Sequence, residues 1–339
     1  MPQKKLCLVT GVAGFIGSHL ARRLLHDGYR VIGIDCFTDY YDVKIKEANI
    51  ADLTGNPDFE LDRRDVVKLD PRRLEGVDYV FHQAAQAGVR ASWGREFVYY
   101  THHNILATQR ILEWARQGKP KRIVCASSSS VYGEVEKLPM HEDDRPRPLS
   151  PYGVSKLAAE HLCDLYYRNF DVPVVSLRYF TVYGPGQRPD MAFHRFMTAL
   201  QKGGTIEIYG TGEQTRDFTY IDDIVEANLA AARTGGVEGR VYNIGGGSRV
   251  SVNEVLKIIG RLSGRNTGVV RLPGQAGDPG HTYADTSRAR DELGFSPQTP
   301  LAVGLKAMVD SFAWDEERPV ESEPAVQRPE REFGFTEEF

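Results

Sequence analysis

The stretch LCLVTGVAGFIGSHLARRLL, residues 6–25, limits the fold more than any other part of this chain. An apolar run the length of one strand leads directly into glycines at 11, 14 and 17, and then into a helical pattern. Glycines at that spacing let the backbone turn sharply and pass close to a neighbour before a helix begins. The alternation continues: YRVIGID, FELDRRD, DYVFHQAA, KRIVCASS and VPVVSLRYF read as strands. FVYYTHHNILATQRILEWARQ and PYGVSKLAAEHLCDLYYRN read as long helices on either side of KRIVCASS. Apolar strands separated by amphipathic helices imply a parallel sheet covered on both faces. In such a doubly wound sheet, ligands bind beyond the carboxyl ends of the strands.

At 339 residues the chain is too long for one small core. The expected fold class is α/β: a doubly wound parallel Rossmann sheet with a smaller C-terminal α/β substrate-binding domain. Residues 1–180 form the first unit, 181–314 mainly the second, with 215–250 partly returning to the first. Residues 315–339, rich in Pro and Glu, read as a polar tail. A net charge of −4 argues against nucleic-acid and membrane partners, so an anionic ligand needs a few local arginines. Cys7, Cys36, Cys125 and Cys163 are far apart and read as free thiols of a cytoplasmic protein. His102-His103 and HEDD (141–144) lack clear ligand spacing, so no metal is expected.

Gly11, Gly14 and Gly17 let a backbone approach a pyrophosphate, whose charge the following helix N-terminus stabilises. Phe15 and Ile16 lie in the same turn. Asp35 ends the second strand, where a carboxylate accepts from both ribose hydroxyls and repels a 2′-phosphate, which favours NAD over NADP. Asp65, followed by Val66, ends the third strand and has two readings, an acceptor for the adenine amino group or a loop cap. Gln83, Ala84 and Ala85 follow the fourth strand and are expected to pass the cofactor. His82 reads as a buried, satisfied histidine.

Tyr152 and Lys156 in SPYGVSK are four residues apart at the start of a helix and share one face. An ammonium beside a phenol favours the deprotonated oxygen, which can take a hydroxyl proton. The order TGVAGFIG, HQAAQAG, ASSSSVYG, SPYGVSK resembles the extended short-chain dehydrogenase/reductase family over residues 4–314. The resemblance implies Tyr152 as general base, Lys156 as its tuner and ribose ligand, and Ser128 as a hydroxyl that shares the proton. It also implies a structural or cofactor-side Asn104, Tyr179 beside the cofactor, and a homodimer formed by the helices containing Ile111 and Leu162.

RYFTVYGPGQRPDMAFHRF and QAGVR are most similar to UDP-glucuronate 4-epimerases within that family, with UDP-glucose 4-epimerases as the alternative. This implies a UDP-sugar substrate, oxidised at C4 and reduced again from the other face. Arg216 then matches a diphosphate ligand and Asp278 a residue near the ribose. Arg188 is the candidate for the sugar carboxylate, with Thr181 beside the hexose and Arg90 a second candidate. Phe193 and Tyr209 are either walls of the uracil pocket or ordinary packing. Related dehydratases carry Asp-Glu where Ser129 and Ser130 stand, and decarboxylases a glutamate at 130. Hydroxyls orient a sugar, Ser129 among them, but exchange protons poorly at neutral pH.

Overall fold

The computed structural model describes residues 4–314; the predicted tail, 315–339, lies outside the described residues. Along the chain run β1 (Leu6–Thr10), α1 (Phe15–His26), β2 (Arg30–Ile34), α2 (Val43–Ile50), β3 (Phe59–Asp62) and β4 (Tyr79–His82). Then come α3 (Phe97–Tyr100), a π-helical turn Thr101–Leu106, α4 (Ala107–Gly118), β5 (Arg122–Ser128), α5 (Pro151–Phe170) and β6 (Val174–Tyr179). The second half contains β7 (Thr181–Tyr183), α6 (Ala192–Lys202), β8 (Ile206–Tyr209), β9 (Thr215–Tyr220), α7 (Ile221–Arg233) and β10 (Val241–Ile244). It closes with β11 (Arg249–Ser251), α8 (Val252–Ser263), β12 (Val269–Leu272), α9 (Ser287–Leu293) and α10 (Leu301–Ser311).

Seven parallel strands form the main sheet in the order β10-β6-β5-β4-β1-β2-β3. Winding reverses between β1 and β4, which opens a crevice past their carboxyl ends. The sheet's two faces are covered by separate apolar layers. One gathers Leu20, Leu24, Ile224 and Leu229 from α1 and α7; the other gathers Ile111, Leu112, Trp114 and Cys163 from α4 and α5. A third core, around Tyr183, Phe196, Val255 and Leu305, belongs to the smaller unit.

The partition differs from a simple division at residue 181. Strand β10 pairs with β6 in register Val241↔Ser176 to Ile244↔Tyr179, and α7 covers that end of the sheet. Ala289, Leu293 and Phe295, from α9 and just beyond, also pack into the main core. Short apolar runs such as VYNI can serve either sheet, and their choice depends on which edge is left unpaired. Helix α2 was not foreseen. It buries only Lys46 and Ile50, so its sequence carries no apolar stripe.

Candidate active site

Strand β1 ends at Thr10 and the chain turns at Gly11, where φ is +69°. A Cβ on Gly11 would lie 2.8 Å from the Ala84 backbone, and one on Gly17 only 2.1 Å from the Gly11 carbonyl oxygen. The turn is therefore wedged between β4 and α1 with room for backbone alone. Gly14 caps α1 without any side-chain hydrogen bond, leaving the first amides of the helix for an outside acceptor. The glycine cradle and its amides fit a dinucleotide pyrophosphate.

Asp35 holds its place beside this turn by accepting from the amides of Phe37 (2.8 Å) and Ala13 (3.1 Å). Burial pushes its carboxyl up, and those two amides and Lys46 oppose the rise. The cleft continues past Phe15, Ile16, Val66, Gln83, Ala84 and Ala85. Asp65 lines the same cleft while accepting from Val67 N at 2.8 Å, so the capping reading describes one of its oxygens. Tyr179 donates to Gln83 Oε1 at 3.1 Å, with its ring on the cleft wall. Of the two roles implied for Asn104, its surroundings support the structural one: its side chain is buried and engages Gln86 N, Gln86 O and Ser155 Oγ at 2.8–3.0 Å, bracing the loop after β4.

Ser150 caps α5 by accepting from Gly153 N at 3.1 Å, with Pro151 as first helical residue. The following turns carry Tyr152 and Lys156 toward the end of β5, where Lys156 Nζ donates to the Ala126 carbonyl at 2.9 Å. Ser128 Oγ accepts from Ser130 N at 3.1 Å and so fixes the turn formed by the serine run. A second cleft begins here, lined by Ser128, Ser129, Ser130 and Thr181. Tyr152, Ser127, Tyr179 and Arg188 face both clefts. Tyr152 therefore stands where the two clefts meet.

Farther along the second cleft, Arg90 pairs with Asp278, Nη2 to Oδ2 at 2.7 Å, and lies 4.0 Å above the Tyr209 ring. Arg216 lies beyond Tyr209 and Asp278 in a continuation of the groove, donating to Thr215 O and Gly280 O. Burial pulls its guanidinium below the ordinary arginine range, against the attraction of Asp278. An incoming anion would therefore find an incompletely neutralised cation. Arg188 forms a bidentate pair with Asp190, at 2.9 and 3.0 Å. Of the two readings of Phe193, packing fits its surroundings: it is 2% exposed and lies on Tyr183 and Phe218, inside the small core rather than on the cleft wall.

Sequence reading missed the support beneath the serine run. Ser127 Oγ donates to Glu160, which also receives Arg178 through Nε (3.0 Å) and Nη2 (2.8 Å). Arg178 reaches on to the Tyr132 hydroxyl at 2.8 Å, and Tyr132 donates to Asn243 Oδ1 at 2.7 Å. Glu160 follows Lys156 by one turn on α5, and that spacing was the available signal. Tyr40 and Asp190, also on the cleft, carried no motif.

Residues 7–245 match the model of the NAD dependent epimerase/dehydratase family. A Bacillus subtilis protein called an uncharacterized UDP-glucose epimerase, YtcB, is 45% identical over 300 residues, 88% of this chain and 95% of its own. UDP-glucuronate 4-epimerase of Thermodesulfobacterium geofontis is 37% identical over 316 residues, 91% of this chain and 96% of its own. The crystal structure of UDP-glucuronic acid 4-epimerase from Bacillus cereus, in complex with UDP-glucuronic acid and NAD, superposes with a TM-score of 0.88. It is 44% identical and matches 90% of this chain and 98% of that one. With the glycine cradle, the strand-end Asp35 and the Tyr152–Lys156 helix in one crevice, the chain belongs to the NAD dependent epimerase/dehydratase family.

Proposed function

We propose that the protein is an NAD-dependent 4-epimerase that interconverts UDP-glucuronate and UDP-galacturonate. The observation that carries this reading is the meeting of two clefts at Tyr152, one fitted to a dinucleotide and one bearing arginines for an anionic sugar nucleotide. NAD, when bound, supplies reversible hydride acceptance at C4. Tyr152 takes the C4 hydroxyl proton and later returns it, and Ser128 shares that proton by hydrogen bond. Lys156, anchored on Ala126 O, lines the dinucleotide cleft together with Tyr152 and is the residue assigned to tune the phenol.

Arg216, Arg90, Asp278 and Tyr209 grip the nucleotide, remote from C4. Firm binding there leaves the sugar free to turn over between oxidation and reduction. Arg188 and Thr181 receive the sugar carboxylate. The 4-keto sugar is a β-keto acid, which loses carbon dioxide when the carboxylate bond stands perpendicular to the ketone plane. Arg188, with Asp190 fixing its fork, holds that bond nearer the plane. Ser129 and Ser130 offer no carboxylate to remove water from the ring.

Val98, Tyr99 and Leu106 on α3 and its π turn, with Val154, Leu165 and Phe170 on α5, are exposed apolar side chains. They support a homodimer formed through these two helices; Ile111 itself points into the core. The free cysteines suit a cytoplasmic location. Among the described residues, no helix is long and apolar enough to cross a membrane. The test is product analysis by NMR after incubation with UDP-glucuronate and, separately, with UDP-glucose. UDP-galacturonate without net NADH supports the reading. Turnover of UDP-glucose alone would replace it with the UDP-glucose 4-epimerase alternative, and a UDP-pentose or 4-keto-6-deoxy product would overturn it.

A further inference from the structure

We infer that Cys36, Asp65 and His103 form a site for a soft divalent cation such as Zn²⁺, set across the adenine end of the dinucleotide cleft, so that metal and dinucleotide exclude one another. The exclusion rests on the dinucleotide reading above; the metal site does not. One ligand atom from each residue lies within 4.8 Å of the other two. They come from three separate segments: the ends of β2 and β3 and the π-helical turn before α4. Sequence spacing around His102-His103 gave no hint of this set, because its other members are brought in by the sheet.

Thiolate, carboxylate and imidazole together form a donor set suited to zinc. All three residues are half-buried and line the cleft, so they are sheltered yet reachable. Asp65 is already oriented as a ligating carboxylate usually is, by outer hydrogen bonds: Oδ2 to His102 Nε2 at 2.7 Å and Oδ1 to Val67 N at 2.8 Å. A cation that takes the Cys36 sulfur as thiolate displaces its proton to solvent. Bonds of ~2.0–2.3 Å to tetrahedral zinc put donors roughly 3.3–3.7 Å apart, so the side chains close by at most about 1.5 Å. All three line the cleft, so a water entering from it would complete the four-coordinate set.

Co²⁺ is the probe, added to the full-length chain stripped of nucleotide. The expected result is a thiolate-to-cobalt charge-transfer band, with visible bands of a four-coordinate ion, complete at one equivalent. Cys36→Ser removes the charge-transfer band, and His103→Ala, on a different element, weakens Co²⁺ binding by more than about ten-fold. Saturating NAD suppresses the band in the unaltered protein. Absence of the band, or its persistence in Cys36→Ser, overturns the site; a band indifferent to NAD overturns its placement. NAD titrated without metal reports on the dinucleotide reading alone, so the two failures are told apart.

Discussion

Replacing Arg178 by Met tests whether a buried ion pair holds the serine turn in position. Both side chains of the Arg178–Glu160 pair are 5% exposed, and the guanidinium meets the carboxylate through two nitrogens. Burial disfavours the Arg178 cation, yet Glu160 and Tyr132 hold it above its ordinary range. Met fills similar volume but leaves the Glu160 carboxylate facing only the Ser127 hydroxyl. Removing one partner of a buried pair costs about 3–5 kcal/mol, because the remaining charge is stranded. The companion Arg178→Met/Glu160→Leu variant removes both charges and is expected to recover most of that loss. Urea unfolding of the NAD-loaded protein gives the midpoints, and the double-mutant cycle is expected to give a coupling energy of about 3 kcal/mol or more. Relaxation of Ser127 also shifts Ser128 beside it, and a displacement near 1 Å lowers kcat by up to about 100-fold. A single substitution costing less than about 1 kcal/mol, or two strictly additive ones, refutes the reasoning.

Gly17→Ala pushes a Cβ to 2.1 Å from the Gly11 carbonyl oxygen, so α1 must retreat from the turn. At ~1–3 kcal/mol for such overpacking, NAD affinity measured by calorimetry falls roughly ten- to hundred-fold. Arg188→Ala raises KM for UDP-glucuronate and diverts part of the flux to a UDP-pentose, visible by NMR; unchanged KM and product refute its role. His82 is buried between the hydroxyls of Thr10 and Thr108, and burial lowers its imidazole from 6.5 to about 3. Its neutral form is favoured in the folded state, so that stability is fully present above pH 6.5 and lost as pH falls toward 3. The slope is about 1.4 kcal/mol per pH unit for one proton, and urea titrations of His82→Gln between pH 6 and 4 should show it flattened.

The cofactor half was legible because its signals are local. Gly11, Gly14, Gly17 and Asp35 follow one another through a single βαβ unit, and Tyr152 and Lys156 are one helical turn apart. What stayed hidden depends on distant partners. Arg178 finds Glu160 only when β6 lies beside β5 and under α5, and Cys36 meets His103 only across the crevice. Phe193 was open between pocket and core because an aromatic on an amphipathic helix fits either; its contacts with Tyr183 and Phe218 put it in the core. Asn104 suits either a structural or a cofactor-side role by its place in the chain, and the loop after β4 uses both ends of its amide. Strand β10 could not be assigned from VYNI alone, since an edge position on β6 is a property of the assembled sheet.

In the proposed reaction C4 is oxidised and reduced again without the sugar leaving the crevice beside Tyr152. UDP-glucuronate carrying deuterium at C4 tests it most directly. The expected product is UDP-galacturonate with the deuterium still at C4, in the same molecules, and none released to water. Loss of the label to solvent, its appearance at C5, or its exchange between labelled and unlabelled molecules would contradict it.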